Sequence, residues 1–578
     1  MSPAEALVAR IRAGDPLEGV QIAMLDLSDR DLSGAKLAGA KLLQVRLDGA
    51  DLSGADLMGA EISECSFDGA MLDEADLCGA TAVMCSFDRS DLRRCRLDQA
   101  KLVMCKLERS RFDGADLTDT AIVKCELVCA SFAGARLTRT HLDVSVLREA
   151  DFANVVAVES TFSKADLRSA AFGGARLDQC MFPAANLTDA SFEGAELSNV
   201  FFMAANLTAM RFSKSMIGCS FLGAYVLPAG VELEGDIDPS DYPLDLSCID
   251  LQGANLERCV LSGAILRGAD LREASLEGAL LDDCDLTDAQ LAGANLFRSM
   301  LKGAKLPGAD LSGQRLRLGM WMEADLRGAD FSGAHVDLSM MQESDLRKAN
   351  LKQAAFEASS LDKAQLDGIV VGNTRFERIG FESLDMRGFP FDGLSMRQCD
   401  FSKCTMSGMR IRDCDLTMSN FTEADLSGIT LEECSIEMAT ARKTKLDCAN
   451  LRGARGKGAY FGNASLQGAD FTEAKLRYSS LTGADMTKAL FVKTDLRDAM
   501  IDEATARQTC FQSAKLVYAD LSHTDATDAD FSLANLRGAR VHGLRDEGAV
   551  YDGAITLLQR KTDEGLLAAE SYNPAKGT

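Results

Sequence analysis

One short stretch near the start of the chain contains the pattern that decides the fold. It reads Ala50-Asp51-Leu52-Ser53-Gly54-Ala55-Asp56-Leu57-Met58-Gly59-Ala60. An apolar residue recurs at every fifth position, and this count runs from Ile22 to Leu222 with Leu, Ile or Phe at all but two places. It restarts one residue out of register at Leu246 and continues to Val541. A period of five matches neither a helix nor a strand, so it predicts a chain that turns a corner every five residues.

The residues around each central apolar position complete a motif. Two residues before it the chain usually has Ala, Cys, Ser or Thr, and one residue before it the chain often has Asp or Asn. This pattern resembles the pentapeptide-repeat family, whose motif is A(D/N)LXX, over most of the 578 residues. The resemblance implies an all-β fold, a right-handed quadrilateral β-helix solenoid of about 25 coils with short terminal caps. It also implies that the central residue and the residue two before it point inward, and that the other three point outward.

Columns of like residues support a coil of four pentapeptides. Phenylalanine recurs along one inward column from Phe112 to Phe212, and the only tryptophan, Trp321, has Gly319 as its small inward neighbour. A large residue beside a small one fits a narrow core at native packing density. Another inward column consists of cysteines: Cys65, Cys85, Cys105 and Cys125. We therefore expect most of the 18 cysteines to be small core residues rather than disulfide partners or metal ligands.

Interruptions of the repeat divide the chain into parts. Between residues 369 and 411 large residues occupy both inward positions, so the coil there must widen, distort or eject a side chain. This irregular zone is a tolerated bulge, a kink or a binding feature. The predicted parts are an N-terminal helical cap (1–19), a first repeat block (20–222), a Pro-rich acidic loop or hinge (223–245), a second repeat block (246–541), and a C-terminal cap and tail (542–578).

Charge and composition limit the partners and the compartment. The formal net charge is -25, which repels nucleic acid. No apolar run is long enough for a transmembrane helix, and the N-terminus lacks a basic and apolar signal pattern. We therefore expect a cytoplasmic protein with no membrane insertion and no nucleic-acid partner.

Catalytic chemistry is not indicated by any motif in the sequence. The chain has four histidines, all at outward positions, and no phosphate-binding loop, nucleophile elbow or zinc spacing. His523 and His542 are expected on adjacent coils beside Asp525 and Asp546, on a solvated face near the cap. We predict a protein that is not an enzyme and that has no cofactor and no metal.

Outward apolar residues form columns that the repeat motif does not require. Extended apolar patches usually mark an interface, so these residues are candidates for binding a protein partner or a second copy. The alternative is that loops or caps cover them, or that they stack as ladders that stabilise the sheet. In the first block they are Val83, Val103, Val123, Met84, Met104, Phe201 and Phe221. In the second block they are Val260, Leu280, Met300, Met320, Met340, Phe297, Leu318, Leu338 and Met322.

Three functions remain open on the sequence. The first is a non-catalytic protein-binding scaffold built as an elongated acidic rod. The second follows from a short lead-in, residues 9–19, which looks like the approach to the repeats in bacterial type VI secretion accessory or effector-loading proteins. The third is suggested by family members that resemble B-form DNA and bind type II topoisomerases, although Asp before the central residue belongs to the motif anyway.

Overall fold

The computed structural model describes residues 2–228 and 241–571. They belong to two compact units, Met1–Met300 and Leu301–Thr578. Within each unit the chain winds as a parallel β-solenoid, which confirms the predicted all-β fold. Most of the predicted acidic loop, residues 229–240, and the predicted tail from Asn573 onward lie outside the described residues.

Short strands mark one side of successive coils. In the first unit helix α1 (Pro3–Arg12) precedes the strands, and in the second unit helix α2 (Glu564–Glu570) follows them. The strands of the first unit are β1 (Gln21–Ala23), β2 (Lys41–Leu43), β3 (Glu61–Ser63), β4 (Thr81–Val83), β5 (Lys101–Val103), β6 (Ala121–Val123), β7 (Arg136–Thr138), β8 (Val156–Val158), β9 (Arg176–Asp178), β10 (Glu196–Ser198) and β11 (Met216–Ile217). The strands of the second unit are β12 (Arg315–Arg317), β13 (His335–Asp337), β14 (Ala355–Glu357), β15 (Arg375–Glu377), β16 (Ser395–Arg397), β17 (Arg410–Arg412) and β18 (Thr430–Glu432).

Successive coils stack in parallel with a register of 20 residues. Ile22 pairs with Leu42, and Leu42 pairs with Ile62. Three further bridges per coil lie on the other sides, for example Asp26 with Arg46, Asp31 with Asp51 and Lys36 with Asp56. One bridge on each of four sides confirms the predicted quadrilateral cross-section.

Each position of the motif has a physical role. Ala50 and Leu52 are buried, whereas the backbone of Asp51 bonds to the previous coil, donating to Arg30 O at 2.9 Å and accepting from Leu32 N at 2.7 Å. The Asp51 carboxylate accepts a hydrogen bond from the backbone N–H of Ser53 at 3.0 Å, which closes the corner as an Asx turn. Gly54 then has φ +62°, a left-handed conformation that suits glycine. The acidic residue of the motif is therefore a turn-forming residue.

Aromatic stacking fills the core of the first unit. Rings along the column that begins at Phe112 lie parallel to each other, with centroids 4.4 to 4.9 Å apart as far as Phe192. The predicted column ends there, because Phe212 is only half-buried and leans against Phe221 instead. The cysteine column is buried as predicted.

The register changes earlier than the sequence count indicated. Leu197 in β10 pairs with Met216, so this coil is one residue shorter than the others. Ser213 fills the inward space, and its hydroxyl donates to Ala195 O. The second register therefore begins at Met216 rather than at Leu246. Phe221 becomes a central core residue that stacks on Phe202 at 5.1 Å, so the prediction that Phe221 lies outward is wrong.

The inserted loop leaves the stacking of the first unit intact. Ser215 pairs with Asn255 and Ser220 with Val260, so a single coil contains about twice the usual number of residues. Tyr225 and Leu227 before the undescribed segment are buried.

The irregular zone combines large inward residues with a displaced side chain. Ile369 and Phe389 occupy the inward position that normally has a small residue, and both are buried. The neighbouring central residues Leu366 and Val371 are only half-buried, so they have been pushed partly out of the core. Pro390 lacks the N–H that would bond to the previous coil, and no bridge forms at this position.

The two ends of the chain differ. Helix α1 has a capping box between Ser2 and Glu5 and buries Leu7, Val8 and Ile11. At the other end repeat coils continue beyond Val541 as far as Arg560, whose backbone forms a parallel bridge with the backbone of Arg540. Helix α2 follows and buries none of its own residues.

The contact between Trp321 and Gly319 gives a stability prediction. A Cβ atom at Gly319 would lie 2.5 Å from Trp321 Nε1. We expect Gly319→Ala to destabilise this coil by about 1–3 kcal/mol, because overpacking forces the indole from its position. Denaturant unfolding followed by the fluorescence of the only tryptophan measures the effect. Gly388→Ala is the matched control, since nothing lies within 4 Å of its Cβ position, and its midpoint should not decrease. Equal midpoints for the two variants would contradict this account.

Cysteine exposure gives a second prediction. Thirteen of the 18 cysteines are buried, Cys248 and Cys448 are exposed, and the other three are half-buried. Burial raises the pKa of the Cys95 and Cys284 thiols to about 12, so these groups stay protonated and unreactive at neutral pH. Ellman's reagent should modify two thiols rapidly in the native protein and all 18 after unfolding. Cys248→Ser with Cys448→Ser should remove the rapid phase, and a remaining rapid phase of the same size would refute the assignment.

Candidate protein-binding surfaces

The first predicted column lies on neighbouring strands of the first unit. Val83 in β4, Val103 in β5 and Val123 in β6 are direct partners, and each is half-buried by its neighbours. Met84 and Met104 stand beside them at left-handed corners and are about half exposed, at 53% and 49%. This surface combines a stacked valine ladder with two exposed methionines. The valines thus form, in part, a stacked ladder that stabilises the sheet, which was the alternative to a binding surface.

A second patch of the first unit follows from the shortened coil. Met181 pairs with Phe201, and both side chains are exposed. The next partner of Phe201 is Ser220, because Phe221 has moved into the core. Leu222 and Met203 are exposed instead, at 58% and 54%. The glycine at 223 is the sequence signal for this shift, since it marks the corner two residues after a central Phe221.

The long predicted column is present in each unit as a ladder. In the first unit Val260 pairs with Leu280 and Leu280 with Met300, and all three are half-buried. The nearby Phe297 is also half-buried, with the Arg298 guanidinium 5.1 Å from its ring centroid.

In the second unit Met320 pairs with Met340, of which Met340 is exposed. Leu318 and Met322 are half-buried and Leu338 is exposed. The stacking of one coil on the next therefore shields these outward apolar side chains from much of the water that the sequence alone predicted they would contact.

A further exposed apolar surface in the second unit was not among the predicted residues. It follows one corner of the coils, where large apolar side chains are interspersed with Gly458, Asp498 and Gly538, and we call it the C-terminal ridge. Its side chains are between 37% and 64% exposed. The sequence signal is a spacing of 20 or 40 residues at the outward position two residues after the central one. The ridge consists of Met418, Met438, Tyr478, Tyr518 and Leu558, with Tyr460 and Met500 beside them.

Glycines shape the ridge by leaving room for the large side chains. A Cβ atom at Gly458 would lie 2.5 Å from Met438 Sδ, and one at Gly538 would lie 2.5 Å from Tyr518 Cε1. Tyr518 therefore lies flat across the next coil. Tyr518, Gly538 and Leu558 contribute to an open groove of about 460 Å³.

Charged groups border the ridge in mixed signs. The Arg477 guanidinium carbon lies 4.5 Å from the Tyr478 ring centroid, and Arg477 also pairs with Asp498 at 3.1 Å. Arg540 pairs with Asp520 at 3.3 Å. The ridge is thus an apolar strip that Asp498 interrupts and that further charged groups border, and protein interfaces also combine apolar and polar residues.

Many motif aspartates are paired with arginines. Arg272 donates to Asp270, and this hydrogen bond lowers the Asp270 pKa to about 2. Asp325 pairs with Arg327 in the same way, and Asp345 with Arg347. The aspartates that stack on neighbouring coils, Asp250 with Asp270 and Asp325 with Asp345, are therefore offset by nearby cations, and Asp250 itself contacts Lys214.

The histidines lie in different surroundings. His141 is near Asp143 at 3.6 Å, and His335 begins β13 on the outside of its coil. His523 and His542 are adjacent, with ring centroids 5.1 Å apart. Their carboxylate neighbour is Glu570, because Asp525 pairs with Arg507 and Asp546 accepts from Tyr551. The prediction that Asp525 and Asp546 are the carboxylates beside the two histidines is therefore wrong. Glu570 was missed because it reaches this point only through α2.

A small gap in the core offers no polar site. This gap in the second unit, about 20 Å³, is lined by apolar residues such as Phe421, Ala441 and Phe461. Gly456 takes a central position there, and Leu476 and Ile436 lean into the space.

No helix among the described residues has the length and apolar character needed to cross a membrane.

The fold and the repeating corners place the chain among the parallel β-solenoid repeat proteins. The family model described as pentapeptide repeats (8 copies) matches well over half of the chain, so the chain belongs to the pentapeptide-repeat family. The matched residues are 26–63, 60–99, 90–127, 125–156, 145–182, 185–215, 245–283, 274–313, 322–357, 419–455, 457–491, 479–516 and 514–545.

Solved structures of other pentapeptide-repeat proteins are similar over parts of the chain. HetL from Nostoc sp. strain PCC 7120, involved in heterocyst differentiation regulation, is 26% identical, covers 53% of this chain and 97% of its own, and has a TM-score of 0.23. QnrB1, a plasmid-mediated fluoroquinolone resistance protein, is 18% identical over 33% of this chain and 93% of its own, with a TM-score of 0.21. Rfr23 from Cyanothece 51142 is 23% identical over 23% of this chain and 84% of its own, with a TM-score of 0.09. No curated protein matches the chain.

Proposed function

We propose that this protein is a non-catalytic protein-binding scaffold whose main contact surface is the C-terminal ridge. The observation that carries the proposal is the row of exposed Met, Tyr and Leu side chains at corner positions where the motif requires only glycine or a polar residue. Tyrosine is enriched among the residues that dominate binding energy at interfaces. Full burial of one large apolar side chain contributes about 1.5–3 kcal/mol, so a few of these residues support a specific complex.

The predicted valine and methionine columns are secondary contact surfaces in this proposal. Val103 and Leu280 already lose much of their water contact to their own column neighbours. A partner therefore gains less by covering them than by covering Tyr518 or Leu558, which are 59% and 64% exposed. Met84, Met104, Phe201, Leu338 and Met340 are the predicted residues that keep enough exposure to contribute.

Self-association is the other use of the same ridge. A second copy would bring the mixed charges of Arg477, Asp498, Asp520 and Arg540 against their counterparts without a large charge penalty. Binding to a partner protein and self-association would both bury the ridge. The two complexes differ in whether the second molecule is another protein or a second copy of this chain.

The proposed role in type VI secretion has less support. In the structure residues 9–19 end α1 and lead into the first coil, where Leu17 is buried. This gives the lead-in a structural role of its own.

The ridge predicts the behaviour of a double variant. Tyr478→Asp with Tyr518→Asp should reduce recovery of the native partner at least tenfold in affinity purification with mass spectrometry from the native host, because both changes place a charge in the buried interface. The β-rich circular dichroism should not change, since both residues are outward.

The control variant introduces the same number of negative charges at a different position on the coils. Gln508→Asp with Ser513→Asp also introduces two carboxylates at left-handed corners, but away from the ridge, and should recover the partner normally. Sedimentation of the purified protein distinguishes self-association, which the ridge variant would abolish. Unchanged recovery and unchanged sedimentation would reject the ridge as the interface.

The topoisomerase alternative predicts a different result. A DNA mimic presents unpaired negative charge, whereas Asp270, Asp325 and Asp345 are paired with arginines. We therefore expect no inhibition of DNA gyrase supercoiling at micromolar protein, measured on a plasmid gel. Inhibition that Tyr478→Asp with Tyr518→Asp leaves unaffected would favour the DNA-mimic function over the scaffold.

A further inference from the structure

Two coils and the terminal helix bring three ligand-type side chains together at the end of the second unit. His523 stands at the corner of one coil, His542 lies on the next coil, and Glu570 is the last residue of α2. The His542 side chain is 15% exposed, and those of His523 and Glu570 are 38% and 40% exposed. The cluster is thus open to solvent on one side.

The distances match the edges of a tetrahedral metal site. His523 Nε2 lies 3.2 Å from Glu570 Oε2, and His542 Nε2 lies 3.1 Å from the same oxygen. All three ligand atoms lie within 4.8 Å of one another. Zinc bonds of about 2.0–2.2 Å to nitrogen and oxygen in a tetrahedron place the ligand atoms about 3.3 Å apart. Two edges are therefore already formed, and the third closes with a shift of no more than about 1.5 Å.

We infer that His523, His542 and Glu570 form a zinc-binding site that fastens α2 to the last coils. Two imidazoles and one carboxylate are ligands that Zn²⁺ accepts, and the exposed side leaves a fourth position for water. His523 stands at the corner that follows Tyr518 on the same coil, so the site neighbours the ridge and adds a property that protein binding does not require.

Gly543, on the coil next to His523, leaves the space that the His523 imidazole occupies. A Cβ atom at Gly543 would lie 2.6 Å from His523 Nδ1, and Gly543 has φ +64°. Any other residue would displace the imidazole from its place beside Glu570. Gly543→Ala therefore disturbs the site without removing a ligand.

The terminal helix depends on this cluster for its attachment. Helix α2 buries none of its residues, so packing contributes little to its position. Glu570 contacts both histidines, and the Thr562 hydroxyl accepts from Gly543 N at 3.2 Å. A metal ion bound by Glu570 and both coils would hold the helix far more firmly than these contacts alone.

One hydrogen bond opposes metal binding and defines what must change. Asp563 N donates to His542 Nδ1 at 3.2 Å, which leaves the imidazole hydrogen on Nε2. When Nε2 binds zinc, the hydrogen transfers through solvent to Nδ1, and the bond from Asp563 is lost. Zinc binding is therefore coupled to a small movement at the start of α2, where Asp563 is the N-cap.

The test is a zinc titration of the full chain after chelation and dialysis. Competition with a chromophoric chelator should reveal one Zn²⁺ per chain bound with submicromolar affinity in a Cys248→Ser, Cys448→Ser background, which removes the exposed thiols. His523→Ala, His542→Ala and Glu570→Gln should each weaken binding at least tenfold, and Gly543→Ala should also weaken it. His141→Ala is the matched control, because His141 lies in the first unit, where it contacts Asp143, and it should leave the affinity unchanged.

Two further measurements make the outcome decisive. Zinc should raise the melting temperature of the parent and the His141→Ala control but not of Glu570→Gln, and bound Co²⁺ should give the visible absorption of a tetrahedral site. Circular dichroism and Trp321 fluorescence establish that each variant is folded. If the parent binds no zinc at 100 µM, or if Glu570→Gln binds it as tightly as the parent, the cluster consists of imidazole–carboxylate hydrogen bonds only and the proposal is wrong.

Discussion

The stacking register of 20 residues is the constraint on which the rest of the structure depends. Nearly every side of the described coils bonds to the coil before it through the backbone of the residue preceding the central one, as Asp51 does with Arg30 and Leu32, and Pro390 is an exception. A change in the length of one coil must be absorbed within that coil, otherwise every later inward residue would face solvent. The shortened coil before Met216 and the expanded coil between Ser215 and Asn255 show two ways of absorbing it.

The narrow core follows from that register and determines which residues are tolerated. Only two positions in five point inward, so a large residue needs a small partner, as Trp321 needs Gly319. Where both positions are large, as around Ile369, Leu366 is partly expelled from the core. The cysteines that recur through the chain are explained in the same way, as small apolar residues that fill limited space.

The sequence was sufficient for the coil, its four sides and nearly all of the core, because each of these depends on local spacing. It misplaced Phe221, since a single missing residue moved the register inside a coil that still had apolar residues at the counted positions. The solvent exposure of a side chain was harder to predict than whether it points inward or outward. Leu280 points outward but is half-buried by its column neighbours. Glu570 could not be linked to His523 from spacing, because the repeat ends before α2 and the helix position depends on tertiary contacts.

The proposed ridge and the proposed zinc site lie mostly at positions that the register does not use. Tyr518 and His523 both stand two residues after a central residue, at left-handed corners whose side chains lie outside the core and outside the backbone ladder. Glu570 lies beyond the last coil altogether. Substitution at such places leaves the backbone ladder unchanged, so binding surfaces and ligand clusters can be added to a solenoid of this kind at the cost of placing a side chain in the left-handed conformation. The proposed ridge and the proposed zinc site therefore lie mainly at the corners and the terminal helix rather than on the flat sides.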